Sequence, residues 1–431
     1  MEITCISINE HNESLTDKKI NVKYLLPKEK ANISDLKQFI IHEKDVVLKS
    51  SDRIKVKCPI FYECGGCDYL HMSYDAQCQI KVDYVKTLFD QYQLKTTFLP
   101  MIKSDYPYHY RHKVVASATT HKKRLAFGLY RENTRHVIPF TNCFIQDKDT
   151  NEVIKELETL LNQFKIPAYD IDKKQGIVKH VLIRKSYTHQ SMLVCIVTNG
   201  NLLPNAKKIA QILVSKFPKV ETVVQNIHQK KTHLVLLDQE KTIYGSGYIL
   251  DQIEGISFRL SARSFYQVNP MQMMKLYQKA IEAANIKPHE IVLDTYSGIG
   301  TLALLMAKYA KKVIGVEVNK FAYLDALENK KYNGVSHVDI VHSDVQDYMM
   351  QYQGQIDLLM MDPTREGASK TFLEALKKIK PKRIVYVSCE PKTLARDIYM
   401  IRDLYEIKSV QPVDMFSQTV HVESITLLSL K

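Results

Sequence analysis

The sequence predicts an α/β protein whose carboxyl-terminal half folds as a Rossmann-like, doubly wound sheet, behind a central mixed α/β domain and a small amino-terminal β region. Three observations predict it. From Asp251 onward, apolar strand-length runs alternate regularly with helix-length ones, as parallel strands joined by crossover helices require. A glycine turn, Thr295-Tyr-Ser-Gly298-Ile-Gly300-Thr301, follows the first of those strands and opens a helix. The first 55 residues contain no glycine and read as short strands between charged stretches.

In residues 1–55, the strands are expected at Ile3–Ile8, Ile20–Leu26 and Ile54–Val56. Residues 56–250 begin with a dense cysteine cluster at 58–67. A helix over Tyr74–Tyr92 follows, with Ile80, Tyr84, Val85, Leu88 and Phe89 on one face. Strands Lys113–Ala118, Val181–Lys185 and Met192–Val197 then surround helices Asn151–Phe164 and Ala206–Phe217. Residues 251–431 alternate: helix Met271–Ala284, strand Ile291–Asp294, helix Thr301–Tyr309, strand Lys312–Glu317, helix Lys320–Asn333 and strand Val338–His342. The pattern continues through strand Ile356–Asp362, helix Ser369–Lys378 and strand Arg383–Ser388 to a last strand, Ser424–Leu430.

The 431 residues suffice for two or three domains, and 60 Lys+Arg against 47 Asp+Glu give a net charge of +13. That balance favours a polyanionic partner, without separating nucleic acid from a membrane surface. No export signal or membrane span is visible, so a cytoplasmic location without a membrane partner is expected. Eight cysteines in such a chain argue against a disulfide framework and for metal or catalytic work.

Several residues sit where chemistry collects. Gly298, Gly300 and Ala303 match a dinucleotide fingerprint, and Glu317 ends the next strand where a ribose-binding acid belongs, so a nicotinamide enzyme must be weighed. Asp294, four residues before Gly298, favours an S-adenosylmethionine site instead. Asp344 is either a contact for the adenine end or a solvated loop acid. Asp362 ends the fourth strand, in a loop where Arg365 stands in place of a stacking aromatic and no cysteine occurs. That leaves the thiol task to Cys389, which follows strand Arg383–Ser388 and precedes Pro391, a nucleophile's position at a carboxyl edge. Its ordinary alternative is a small buried hydrophobe.

Two segments, Ser388-Cys-Glu-Pro-Lys-Thr-Leu-Ala-Arg-Asp397 and Asp414-Met-Phe-Ser-Gln-Thr-Val-His-Val-Glu423, resemble the signatures of RNA uracil-5-methyltransferases. The resemblance extends to Ser264-Phe-Tyr-Gln-Val-Asn269, to the Asp294 turn and to Asp362-Pro. It implies a class I methyltransferase sheet and transfer of a methyl group from S-adenosylmethionine to carbon 5 of a uridine. Cys389 would add to carbon 6, making carbon 5 nucleophilic, and the resemblance gives Glu423 the task of removing the carbon-5 proton. It places Gln267, Tyr296, Glu317 and Asp362 around the cofactor. Ser297, Thr364, Glu390 and Ser417 depart from the family pattern, and Glu390 is expected to raise the Cys389 thiol pKa unless a cation offsets it.

Cys58, Cys64, Cys67 and the distant Cys143 offer four thiolates. Zinc is the rival, but one Cys-x-x-Cys knuckle is missing, and three close thiolates plus one distant suit a 4Fe-4S cluster better. The bacterial ribosomal-RNA branch of the family carries such a cluster at this place, so the expected substrate is 23S ribosomal RNA. Transfer RNA is the first alternative and a catalytically silent RNA-binding assembly factor the second. Cys78 reads as core. The run Tyr106-Pro-Tyr-His-Tyr-Arg-His-Lys113 interleaves aromatics with cations and suits RNA. Family members usually begin with a TRAM domain, so residues 1–55 read as a divergent or reduced one. A monomer is expected.

Overall fold

A computed structural model describes every residue except 10, 11, 36, 231 and 233. Near the amino terminus, an antiparallel five-stranded sheet runs in the order Asn21–Val22, Ser14–Thr16, Glu2–Ile8, Lys30–Asn32, Val46–Leu48. Its small core contains Ile3, Val22, Leu25, Ala31 and Ile41. The strand expected over Ile20–Leu26 shortens because Tyr24 adopts a left-handed φ of 69°, which no extended ladder accepts. Ile54–Val56 forms no strand, and Arg53 makes only an isolated bridge to Met72.

The central sheet has seven strands, in the order Glu240–Tyr244, Val220–Ile227, Met192–Thr198, Val178–Lys185, Lys113–His121, Arg124–Tyr130, Val137–Pro139. Met192–Thr198 is buried along its whole length, as its unbroken apolar run requires. The two faces of this strand serve different cores. Met192, Val194 and Ile196 pack with helices Lys148–Gln163 and Ala206–Lys216, whereas Leu193, Cys195 and Val197 join the core of the carboxyl-terminal sheet.

That third sheet contains β1 (Ile291–Thr295), β2 (Lys312–Glu317), β3 (Val338–His342), β4 (Leu358–Met361), β5 (Arg383–Ser388), β6 (Tyr405–Val413) and β7 (Glu423–Leu430). Their order is β3-β2-β1-β4-β5-β7-β6, with β1 to β5 parallel and β7 antiparallel to both neighbours. The strand order reverses between β1 and β4, which opens a crevice at their carboxyl ends. Helix Tyr74–Gln91, far away in sequence, packs Val85, Leu88 and Phe89 into the core built around β4 and β5. Outside this sheet the sequence reading missed the strands Ser14–Thr16, Lys30–Asn32 and Val46–Leu48 and the hairpin of Tyr248–Ile253 with Ile256–Ser261, and two elements escaped it here. Helix Val345–Gln351 is only seven residues long, too short for a clear helical period, and β6 carries Pro412, which an edge strand tolerates.

Candidate active site

Ser388 pairs with Ser424 across the β5–β7 ladder. Because β7 runs antiparallel, its first residue, Glu423, lies at the same end of the sheet as Cys389, the residue that leaves β5. Asp362 leaves the adjacent β4 at this edge. The three groups sense one another. Burial pushes the Cys389 thiol up to about 12, with Glu423 and Asp362 adding to the rise and Arg365 opposing it. Burial likewise raises Asp362 to about 7 and drives Glu423 well above the carboxylate range, with Asp362 reinforcing the shift and Arg365 opposing it. One oxygen of Glu423, Oε2, is buried without a partner among the described residues.

Glu390 behaves differently from the sequence expectation. It caps helix Pro391–Ile401, accepting from the Lys392 amide at 3.3 Å, and the charges that raise the thiol are those of Glu423 and Asp362. The offsetting cation is Arg365, whose Nη2 meets Nε2 of His421 at 3.2 Å. A guanidinium only donates, so Nε2 accepts and His421 is neutral. Burial and the nearby Arg365, Lys81 and Arg111 hold its pKa down at about 4.

The glycine turn stands beside this cluster. Tyr296, Gly298 and Gly300 all take positive φ, at 65°, 58° and 82°. Only glycine does so without strain, so the non-glycine Tyr296 marks a constrained position. A Cβ on Gly298 would meet nothing within 4 Å, which leaves room for a ligand against the backbone. Glu317 accepts from the amides of Gly298 (2.8 Å) and Asn319 (2.6 Å), spanning the turn. Asp294 is buried, accepts from Ser297 Oγ at 2.8 Å, and is raised to about 7 by burial, despite that bond and with help from Asp362. Tyr277, from helix Pro270–Ala284, enters the same cluster: burial, Asp362, Glu423 and Asp294 raise its pKa, while Gln267 bonds to it. Asp362, Cys389 and Glu423 thus neighbour one another, and Tyr277 brings Gln267 to the same cluster, whereas the Tyr296 side chain turns from the glycine turn to pack against Phe372 beside Asp344 and Asp397. Asp344 instead caps helix Val345–Gln351, accepting from the Gln346 amide.

Loop 414–422, which delivers Glu423, is fastened from outside the sheet. Asp414 accepts from Lys81 (2.6 Å), Tyr74 Oη (2.7 Å) and Ser417 Oγ, all behind a barely exposed surface. Gln418, buried with a left-handed φ of 69°, is gripped by Gln77 at two atoms. Lys81, Gln77 and Tyr277 were invisible as site residues in sequence, because each sits on a helix whose pattern reports only packing. Their one sequence signal is polarity on a buried helical face.

The four candidate cysteine ligands are drawn to one place. Cys58, Cys64, Cys67 and Cys143 are free and line a single apolar pocket with Phe61, Leu129, Phe140 and Phe144. Among the described residues, however, no group of three or more His, Cys, Asp or Glu is arranged to hold a metal ion. Cys78 is buried core. The aromatic run also divides: Tyr106 and Tyr108 are exposed, but Tyr110 is fully buried, donating to the Ser417 carbonyl at 2.9 Å. Tyr110 therefore acts as a strut and is unavailable for stacking. No helix among the described residues is long and apolar enough to cross a membrane.

The strand order, the glycine turn and the acids at the carboxyl edge define an α/β protein of the class I methyltransferase fold. The model of the tRNA (uracil-5-)-methyltransferase family matches residues 73–431. The chain belongs to that family and is an RNA methyltransferase. It is 38% identical over 393 residues to an uncharacterised RNA methyltransferase of Halalkalibacterium halodurans, covering 90% of this chain and 86% of that protein. An uncharacterised RNA methyltransferase of Staphylococcus aureus is 35% identical over 393 residues, covering 89% and 86%. Among solved structures, the tRNA (uracil-54, C5)-methyltransferase of Pyrococcus abyssi, in complex with S-adenosyl-L-homocysteine, superposes with a TM-score of 0.80 at 23% identity, covering 99% of this chain and all of that one.

Proposed function

We propose that this chain methylates carbon 5 of a uridine in RNA through a covalent adduct between Cys389 and carbon 6, with Glu423 removing the carbon-5 proton. The observation that carries the reading is the β5–β7 register, which brings a thiol and an unpartnered carboxyl oxygen to one edge of the sheet. Carbon 5 of uracil is a weak nucleophile, and thiolate addition at carbon 6 converts it into an enolate carbon. S-adenosylmethionine, when bound, supplies the methyl group. The open backbone at Gly298 and the acids Asp294 and Glu317 suit its adenosyl and amino-acid ends, with Gln267, Tyr296 and Asp362 as further walls. A raised carboxyl pKa makes ionised Glu423 a stronger proton acceptor, and elimination of the thiolate then releases the product. Arg365 offsets the two carboxylates, so that a thiolate is not opposed by negative charge alone.

The four cysteines support a 4Fe-4S cluster as the resident group. Their thiols share an apolar pocket, and each of Cys64, Cys67 and Cys143 is raised by burial and by negative charge on others of the set, a repulsion that iron would relieve. A single ion needs sulfurs about 2.3 Å from its centre, whereas a cluster spans a wider set. When bound, it would supply loop structure, with no task in methyl transfer. On this reading the substrate is 23S ribosomal RNA. The names of the family and of the Pyrococcus abyssi enzyme favour transfer RNA as the second reading.

Target RNA containing 5-fluorouridine should trap a covalent complex when cofactor is present, and Cys389→Ala should abolish it. Equal trapping by that variant would remove Cys389 as the nucleophile. Mapping 5-methyluridine across RNA from cells with and without the gene separates ribosomal from transfer RNA. Anaerobic purification should give a brown, iron-containing protein; stoichiometric zinc would exclude the cluster.

A further inference from the structure

We propose that the cysteine-bearing loop positions Glu423, with Asp68 as the latch that joins this loop to the one delivering the base. Asp68, next to Cys67, lies 352 positions from Val420 in sequence, yet it abuts the segment leading into β7. The Val420 amide donates to Asp68 Oδ2 at 3.0 Å. The amides of Asp68 and Tyr69 both donate to the Gln418 carbonyl, at 2.8 and 3.1 Å. On its other side the cysteine loop is tied to the central sheet: Gly65 donates to the Tyr130 carbonyl at 3.1 Å, and Cys64 bridges Arg131.

This arrangement gives the latch a reason to exist. Gln418 holds a left-handed φ of 69° without being glycine, a conformation that persists only when neighbours over-determine it. Those neighbours are Gln77, bonded to it at two atoms, and the Asp68–Tyr69 backbone. Only His421 and Val422 separate Val420 from the carboxylate that must reach carbon 5, so freedom at Val420 becomes misplacement of Glu423. Asp68 is a positioning residue on this account, since it acts on Glu423 through the Val420 amide.

The inference rests on the reading of Glu423 as the proton-abstracting base, and the test separates the two. Wild type, Asp68→Ala, Asp68→Asn and Glu423→Gln are each given ordinary uridine-containing target RNA and S-adenosylmethionine, and adduct formation and release are timed separately. Amide exchange at Val420 to Glu423 is followed in the same proteins. Asp68→Ala should form adduct at the normal rate, release it roughly ten- to a hundredfold more slowly, and exchange faster at those amides. Asp68→Asn keeps an oxygen acceptor and should restore both. If Asp68→Ala fails to fold, Gln77→Ala, which cuts the other attachment of Gln418, should give the same two signatures. Slow release by Glu423→Gln with normal release and exchange in Asp68→Ala would overturn the latch while leaving the base intact. Equal slowing of formation and release in Asp68→Ala would reduce it to general structural support and also overturn it. Normal turnover by Glu423→Gln would remove the base reading, and unaltered exchange in Asp68→Ala would then overturn the latch independently.

Discussion

Ser388 stands opposite Ser424 in the antiparallel ladder that β5 makes with β7, so the thiol leaves the sheet where the carboxyl enters it. The insertion of β7 between β5 and β6 is therefore what makes a two-group site from residues 34 positions apart. It also concentrates negative charge. Asp362 and Glu423 both raise the thiol, Asp294 lies within reach of Asp362, and Arg365 is the cation that lowers both the thiol and Glu423.

The first prediction concerns that cation. With the Cys389 thiol pushed up to about 12, thiolate is scarce near neutrality, and its fraction grows up to about tenfold per pH unit below the thiol pKa. Adduct formation with 5-fluorouridine RNA should therefore rise with pH. Arg365→Gln removes the opposing charge and should slow it by about ten- to a hundredfold at a given pH. A flat profile that Arg365→Gln leaves unchanged would show that another group sets thiol reactivity.

Asp294 predicts a stability change of definite sign. Its folded pKa, about 7, lies above the ordinary aspartate value, so its neutral form suits the fold. The contribution is full at low pH and is lost as pH rises from about 4 through the folded value. Asp294→Asn should consequently gain on the native protein across that window, becoming more stable than it by about 2–4 kcal/mol at alkaline pH, while losing affinity for S-adenosylmethionine. Urea midpoints of both proteins on either side of the window check the sign. A difference independent of pH would mean that Asp294 is ionised throughout.

The buried Lys81–Asp414 pair predicts a large loss. Both side chains are 1% exposed and their atoms are 2.6 Å apart. Lys81→Met leaves Asp414 with hydroxyl donors but no counter-charge, which typically costs about 3–5 kcal/mol. Lys81→Met with Asp414→Asn should recover a good part of it. Urea unfolding of the single and double variants measures this coupling. Additive losses would show that the pair acts as two independent groups.

How much of this was legible in sequence depended on whether the signal was local. β2 and β5 have the bounds that their apolar runs predicted, because strands buried on both faces are written as continuous hydrophobic text, and the edge strand β3, buried only at Val338, has its predicted bounds as well. Cys389 and Glu423 stood out through motif resemblance, and the glycine turn through its spacing. The fastening of loop 414–422 did not, since Asp68, Gln77 and Lys81 act at separations above 330 residues and each carries no local pattern. The thiol's charged neighbours were equally hidden, since the sequence offered the adjacent Glu390, whereas Glu423, Asp362 and the offsetting Arg365 act on the thiol from elsewhere in the chain. A side chain that caps its own helix is turned to that task, and the neighbours that count come from other strands.

The last prediction tests the wall between β1 and β2. Gly315 pairs with Asp294 in register, and a Cβ built on it would lie 2.6 Å from Ser297 Oγ, the atom that donates to Asp294. Gly315→Ala must displace that hydroxyl, so two effects are expected together. Overpacking should cost about 1–3 kcal/mol, and loss of the donor should disturb the acid at the cofactor turn, weakening S-adenosylhomocysteine binding. Ser297→Ala separates the two, because it removes the hydrogen bond without the clash: affinity should fall as in Gly315→Ala, with a smaller change in unfolding temperature. Calorimetric titration beside thermal unfolding reads both quantities. Unchanged affinity in both variants would mean that the Ser297–Asp294 bond supports the fold alone and takes no part in holding the cofactor.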